Sequence, residues 1–428
     1  MDRAHRGHGG YTRRMDSDKA INKDAPGSRG FFGHLFSAQE SGLVIVIAVM
    51  VVALTLLGGT KPKTVTHAIA PGATVVLFDA AGTGHAPGTL PDRKIERIEV
   101  TTDGRTISYE GQVGFRGSGE SRMVTEHRTI NKFLDLDNIV LVLKDASFIA
   151  VMAVGMTAVI ILAGIDLSVG SIYAIAGVVG AMALHELGPE ANGLVAVLVG
   201  LGVCLTVGTL CGLANGVMVV GLRVHPFVIT LGMMAALRGL TIIIPQEVYG
   251  EQSIAGFSPG FTRGFFKAEM VGVYPVPVII MVIVAIAGAF VLGRTVFGRR
   301  VYAIGGNETA AGYAGIPVGR VKIWVYTIMG ALSALSATMA IGYYGSAETG
   351  AGNAYELRVI AAAVIGGASL MGGRGSAMGA VLGAVIIELI GNAMIIFDID
   401  QSWNQVVMGA AIIVAVVVDQ AKRRLSSR

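Results

Sequence analysis

The chain has 428 residues, 53% of them hydrophobic and 14% charged, with 60 glycines and a net charge of +4. Soluble domains carry about 25% charged residues, so the composition excludes an ordinary soluble enzyme and points to an all-α polytopic membrane protein. The cations lie in loops and at the ends, a pattern of membrane orientation and not of nucleic-acid binding, while Cys204 and Cys211 share one apolar run and suggest neither a metal site nor a disulfide framework.

Residues 1–40 are polar and basic, with Arg3, Arg6, Arg13, Arg14, Lys19, Lys23 and Arg29, and read as a cytoplasmic tail. The apolar run 42–57 forms the body of a first transmembrane helix at 41–59. Ala68-Ile69-Ala70 resembles a signal-peptide cleavage site, but the basic region before the run is far too long, so the helix is read as uncleaved. Between 60 and 135 the composition changes to alternating β-branched stretches at 73–79, 94–102 and 105–115, and Asp103-Gly104 supplies a hairpin turn between the last two. A small β-rich insert is expected there, and it is extracytoplasmic because it follows an in-to-out helix. His67, His85 and His127 are scattered and form no metal or catalytic cluster.

Residues 136–420 form the core. Apolar runs at 139–163, 168–184, 193–220, 226–244, 274–293, 322–342, 357–371, 377–396 and 404–418, with the first helix, predict about ten membrane crossings of roughly 20 residues each. Loop charge agrees with the count: Arg223, Arg294, Arg299, Arg300, Arg320, Lys322 and Arg374 fall on one side with Lys422, Arg423 and Arg424 of a tail at 421–428. The opposite loops carry Glu186, Glu190, Glu247, Glu251, Glu348, Glu356, Asp398 and Asp400. Both termini are therefore expected to be cytoplasmic.

The stretch 163–184 places Asp166 between two aliphatic runs. Asp166 and Ser168 either cap the next helix at a glycine-permitted turn or line a protein-walled pathway, since charge facing lipid costs about 2.5 to 3.5 kcal/mol or more. Gly208, Gly212 and Gly216 are spaced by four, as are Gly375, Gly379 and Gly383, and each set is expected on a closely packed helix. Segments 164–180 and 366–384 share a bend rich in glycine and serine that opens a small-residue helix, a hint of internal repetition. In 293–322, Gly305-Gly306-Asn307 supplies a bend and an N-cap, and Glu308 suits the positive end of a short helix over 309–314 before Gly315 and Pro317. That helix is either a capped connector or a docking surface for a partner protein.

Five motifs together carry a resemblance: GIDLSVGS at 164–171, GLANGVMVVGLRVHPFVITLGMMAALRGL at 212–240, VYAIGGNETAAGYAGI at 301–316, YELRVIAAAVIGGASLMGGRGS at 355–376 and WNQVVMGAAI at 403–412. In this order they resemble the permease subunits of ribose and other simple-sugar ABC importers, over about 139–418. The resemblance implies a fold similar to type II importers, a homodimer in the cell membrane, a separate ATPase subunit and a soluble sugar-binding protein. It also implies that Asn307–Ala311 is the segment that couples to the ATPase, with Gly306, Asn307, Glu308, Thr309, Ala310, Ala311 and Gly315 as the contact group. The insert and the long first tail depart from the family pattern.

The sequence contains no Gly-x-x-x-x-Gly-Lys-Ser/Thr phosphate loop, so ATP hydrolysis is assigned to a partner and the chain is not itself an enzyme; no cofactor is expected. An ion-coupled secondary transporter is the alternative, with Asp166, Arg238 and Glu388 as its candidate relay groups. A membrane anchor displaying the insert as a receptor would not require so many helices. Candidate pathway-lining groups are Asp166, Ser168, Asn215, Thr230, Tyr343, Tyr344 and Glu356, chosen as polar residues within or bordering helices.

Overall fold

A computed structural model describes residues 38–411 apart from 117–121 and 271, together with 413, 414 and 417. Nearly all of the expected tail 1–40, and all of 421–428, lies outside the described residues.

Helix α1 (Ala38–Leu57) leads into strands β1 (Thr60–Ala68), β2 (Thr74–Phe78), β3 (Gly84–His85), β4 (Arg97–Thr102), β5 (Arg105–Glu110), β6 (Gln112–Arg116) and β7 (Met123–Asn131). The helical core follows as α2 (Leu136–Ile161), α3 (Val169–Leu187), α4 (Gly193–Leu222), α5 (Pro226–Tyr249), β8 (Ser253–Ala255), a single turn α6 (Pro259–Phe261) and α7 (Val276–Arg294). It continues with α8 (Val296–Gly306), α9 (Glu308–Tyr313), α10 (Val318–Tyr344), β9 (Ser346–Glu348), α11 (Tyr355–Ile365) and α12 (Ala377–Ile396); residues 404–411 are again helical.

Among the described residues eight helices are long and apolar enough to cross a membrane: α1, α2, α3, α4, α5, α7, α10 and α12. The run 357–371, read as a crossing, gives only the 11-residue α11, about 16 Å long at 1.5 Å per residue. Its apolar composition is helical enough, but Gly367, Gly372 and Gly373 adopt φ of 96°, 84° and 73° and turn the chain out of the helix. The run 404–418 is described only in part.

The long helices divide into inner and outer sets. Along α2, α3, α10 and α12 most residues are buried, whereas α1, α4, α5 and α7 expose apolar side chains such as Leu198, Ile243 and Ile283, as a surface against lipid requires. Gly208, Gly212 and Gly216 set α4 directly on α10, where a Cβ would strike Gly330 and Ala334, Tyr326 O, or the Ile323 backbone. Gly379 and Gly383 likewise admit the backbone of Gly366 and Ala362. Gly375, expected on the same helix, precedes it; its carbonyl accepts a hydrogen bond from Tyr302 Oη at 2.7 Å.

The segments read as similar share a backbone ending. Helix α2 closes with Ala163 N–H donating to Ile160 O (2.8 Å) and Gly164 N–H to Val159 O (3.0 Å), and α11 with Gly367 N–H to Val364 O and Ala368 N–H to Ala363 O, both 2.9 Å. This is the paired 5→2 and 6→1 ending that needs a left-handed residue, supplied by Ala163 (φ 57°) and Gly367.

In the β-region, β1 and β7 pair from Thr60↔Asn131 to Ala68↔Met123 as a stalk continuous with α1 and α2. Sheet order is β1-β7-β6 and β3-β2-β4-β5, around a core that includes Leu77, Ile98 and Val124. Asp103 and Gly104, at φ 53° and 73°, close the β4–β5 hairpin; the alternating stretch 105–115 forms β5 and most of β6, divided at Gly111 (φ 94°). The stalk is fixed to the helices by Lys63 on Asp135 (2.6 Å) and Asp137 (2.7 Å), and by Lys132 Nζ on Ile396 O (3.1 Å) and Asp398 (3.0 Å). Burial raises the Asp135 pKa, but the ammonium groups of Lys61 and Lys63 outweigh it and hold the carboxyl below its ordinary value.

Candidate functional site

At the α2–α3 bend the chain reverses inside the bundle, and its polar groups must bond one another. Asp166 Oδ1 accepts from Ser168 N–H (2.9 Å) and from Ser168 Oγ (2.6 Å), while Asn215 Nδ2 on α4 donates to Ser168 Oγ (2.7 Å). Thr230 Oγ1 on α5 reaches Ile165 O at 3.3 Å. The structure thus brings Asp166, Ser168, Asn215 and Thr230 together, all fully buried. Asp166 Oδ2, Asn215 Oδ1, Ser171 Oγ and Tyr326 Oη are buried with no hydrogen-bond partner among the described residues.

The other expected pathway residues lie elsewhere. Tyr343 and Tyr344 end α10 near the stalk, and roughly 25 Å of helix separates Tyr343 from Tyr326 at the bend. Here Lys144 Nζ, whose residue is only 3% exposed, donates to Tyr344 Oη at 2.9 Å and pairs with Asp145 at 3.0 Å. It lies 5.0 Å from the Tyr343 ring centroid, and Lys267 caps the same ring at 5.3 Å. Glu356, in the first turn of α11, stands by Gly170, where a Cβ would come within 2.9 Å of its carboxylate and strike Gly352 O. Arg238 holds the same loop, donating to Ala351 O at 2.7 Å.

Between these levels lies a cavity of about 240 Å³, walled by Tyr173, Ala337, Ile341, Tyr344, Glu348 and Tyr355. The Tyr173 and Tyr355 rings meet at 5.2 Å. Lys144, Asp145, Tyr173 and Tyr355 were not among the expected site residues. The available signal was an adjacent Lys-Asp pair inside the apolar run 139–163, which lipid would not tolerate.

At the opposite end, Asn307 Oδ1 accepts from Ala310 N–H (2.9 Å) and caps α9, and Glu308 pairs with Lys322 at 2.7 Å. Gly315 takes φ 80° as the chain leaves the helix. Gly306, Thr309 and Ala310 are exposed, Ala311 is buried, and Tyr313 is 90% exposed. Behind α9, Gly305 of α8 abuts Ile161 O at the end of α2 and Gly373 N. A short capped helix presenting small side chains and one bare aromatic ring, seated on a core-contacting helix, can receive a partner and pass its motion inward.

Comparison with known proteins adds the following. A family described as a branched-chain amino acid transport system / permease component matches residues 138–416. The chain is 39% identical over 290 residues to the ribose import permease protein of Haemophilus influenzae, covering 67% of this chain and 86% of that protein. It is 39% identical over 292 residues to the ribose import permease protein of Escherichia coli K12 (68% and 88%), and 38% over 288 residues to the D-allose transport system permease protein of the same strain (67% and 85%). No solved structure matches. The matched stretch begins after the β-region.

Proposed function

Because the chain belongs to the branched-chain amino acid transport system / permease component family and is a sugar permease of the ABC importer type, we propose that it carries a ribose-like monosaccharide across the cell membrane, driven by ATP hydrolysis on a separate subunit. The carrying observation is the match over 138–416, which spans the helical core. In this reading the permease works as a homodimer, both termini are cytoplasmic, and the β-region faces outward toward a soluble sugar-binding protein. Asp166, Ser168, Asn215, Thr230, Tyr343, Tyr344 and Glu356 contribute polar surface to the route, the first four at the bend, Glu356 beside Gly170 just past it and the two tyrosines nearer the stalk. Loop cations support the orientation: Arg294, Arg299, Arg300, Arg320 and Lys322 all lie around α8 and α9.

Gly306, Asn307, Glu308, Thr309, Ala310, Ala311 and Gly315 form the face on which the ATPase docks. Exposure of Ala310 makes it the clean probe, because Ala311 is buried and a large residue there would disturb the loop itself. Ala310→Arg is expected to leave membrane abundance unchanged and to abolish co-purification of the ATPase. Wild-type co-purification and uptake in that variant would show that α9 is only a connector. The second reading, ion-coupled transport, draws on the buried carboxylates Asp166 and Glu388 and requires uptake by the permease alone under an ion gradient.

A further inference from the structure

A second cavity, of about 220 Å³, lies between α2, α11, α12 and the helical segment at 404–411. At about 30 Å³ per water in the liquid it has room for about seven waters, the bulk of one pentose or hexose and not of an oligosaccharide. Its wall includes the carboxylates of Asp145 and Glu388, the Arg358 guanidinium, Asn404, and the rings of Phe148 and Tyr355. Tyr355 also walls the first cavity, so the two adjoin.

Asp145 is bonded internally, to Lys144 at 3.0 Å and Tyr344 at 3.2 Å, but Glu388, Arg358 and Asn404 are thinly satisfied. Glu388 is 9% exposed, and its contact with Arg358 is a single 3.5 Å approach. That is the one hydrogen bond of the Arg358 side chain among the described residues, although a guanidinium carries five donors. Asn404 Oδ1 is buried and unpartnered among the described residues. A buried carboxylate and a buried amide oxygen left so thinly satisfied are costly for stability alone. Carboxylates, a guanidinium and an amide converging beside aromatic faces suit a ligand whose hydroxyls both donate and accept and whose C–H faces are apolar. Asp145 and Glu388 lie about 12 Å along their helices from the stalk end, on the way from the stalk to the α2–α3 bend.

We propose that this cavity is a monosaccharide-binding station inside each protomer, with Asp145, Arg358, Glu388 and Asn404 as its hydroxyl-binding groups and Tyr355 as the gate toward the bend. The proposal rests on the sugar-importer reading, and its test separates the two. Gly391 lines the cavity, and a Cβ there meets nothing within 4 Å, so Gly391→Cys places a thiol in the wall without crowding. In full-length protein carrying Cys204→Ser and Cys211→Ser, labelling of that thiol by a water-soluble methanethiosulfonate is timed with D-ribose, D-allose, D-fructose or sucrose present.

At least threefold slowing by one of the monosaccharides and none by sucrose is expected, with that protection lost on adding Glu388→Gln while the unprotected labelling rate stays the same. Leu141→Cys, in the wall on α2 and outside the hydroxyl-binding groups, repeats the measurement should Gly391→Cys fold poorly. No protection by any monosaccharide at either position would overturn the station even if uptake is normal. A lower melting temperature for Glu388→Gln with protection and uptake per folded transporter unchanged would also overturn it, making the cluster structural. Absence of uptake in unsubstituted protein, with protection intact, would overturn the importer reading and not the binding station.

Discussion

The bend between α2 and α3 and the bend between α11 and α12 end their first helix with the same pair of backbone hydrogen bonds, yet they are held by opposite means. The first is fixed by a side chain: Asp166 accepts from both the amide and the hydroxyl of Ser168, and Asn215 closes the group from α4. The second is fixed mainly by close backbone approach at its glycines. Gly372 and Gly373 let it lie against Gly305 and Gly306 of α8, Gly373 N–H donates to Ile161 O at 2.9 Å, and Tyr302 reaches across to Gly375 O. Both bends meet Gly305 of the helix that leads into α9, the first through Ile161 O and the second through Gly373 N. The same backbone device is thus closed by side chains in one copy and mainly by backbone contact in the other.

The largest effect should come from Asp166→Leu, which strands the Ser168 donors in a dry interior. At about 1 to 3 kcal/mol per unsatisfied buried group, a loss of about 3 kcal/mol in folding stability is expected, read as a marked fall in melting temperature and membrane abundance. Asp166→Asn keeps an accepting oxygen and should lose about 1 kcal/mol. If Asn folds normally but uptake collapses, the charge itself serves the route, and the structural role assigned to this bend is incomplete.

Next is Gly305→Ala, whose Cβ would strike Ile161 O and crowd Gly373 N. Overpacking of this kind costs about 1 to 3 kcal/mol. Gly306→Ala meets nothing within 4 Å and should be near neutral. Equal behaviour of the two variants in thermal unfolding and uptake would break the claim that the second bend works by close backbone approach. The smallest effect belongs to Ser369→Ala. Its hydroxyl accepts one long bond, 3.3 Å from the amide of exposed Met371, so about 0.5 kcal/mol is expected. A cost matching that of Asp166→Leu would erase the distinction between the bends.

Much of this was legible in the sequence where a local signal carried it. Asn307 as a cap, Asp103-Gly104 as a hairpin turn and the α4 glycine stripe each follow from one residue type at one spacing. Helix α11 is shorter than the run 357–371 suggests, because Gly367, Gly372 and Gly373 take left-handed backbone and end it despite the high hydropathy. Gly375 fell off its helix for the same reason. The site was legible only in part, since its partners are distant in sequence: Lys144 meets Tyr344, and Arg358 meets Glu388, only after the helices pack. The expected pathway residues were chosen by polarity alone, which could not tell that they occupy two levels of the bundle.

The most direct test of the account is uptake of radiolabelled D-ribose, D-allose and D-fructose into proteoliposomes holding this permease, its co-purifying ATPase and the loaded binding protein. The account predicts uptake of at least one of these sugars that requires the ATPase and ATP on the α8–α9 side and is unaffected by ionophores. Ionophore-sensitive uptake by the permease alone, with no dependence on ATP, would contradict it.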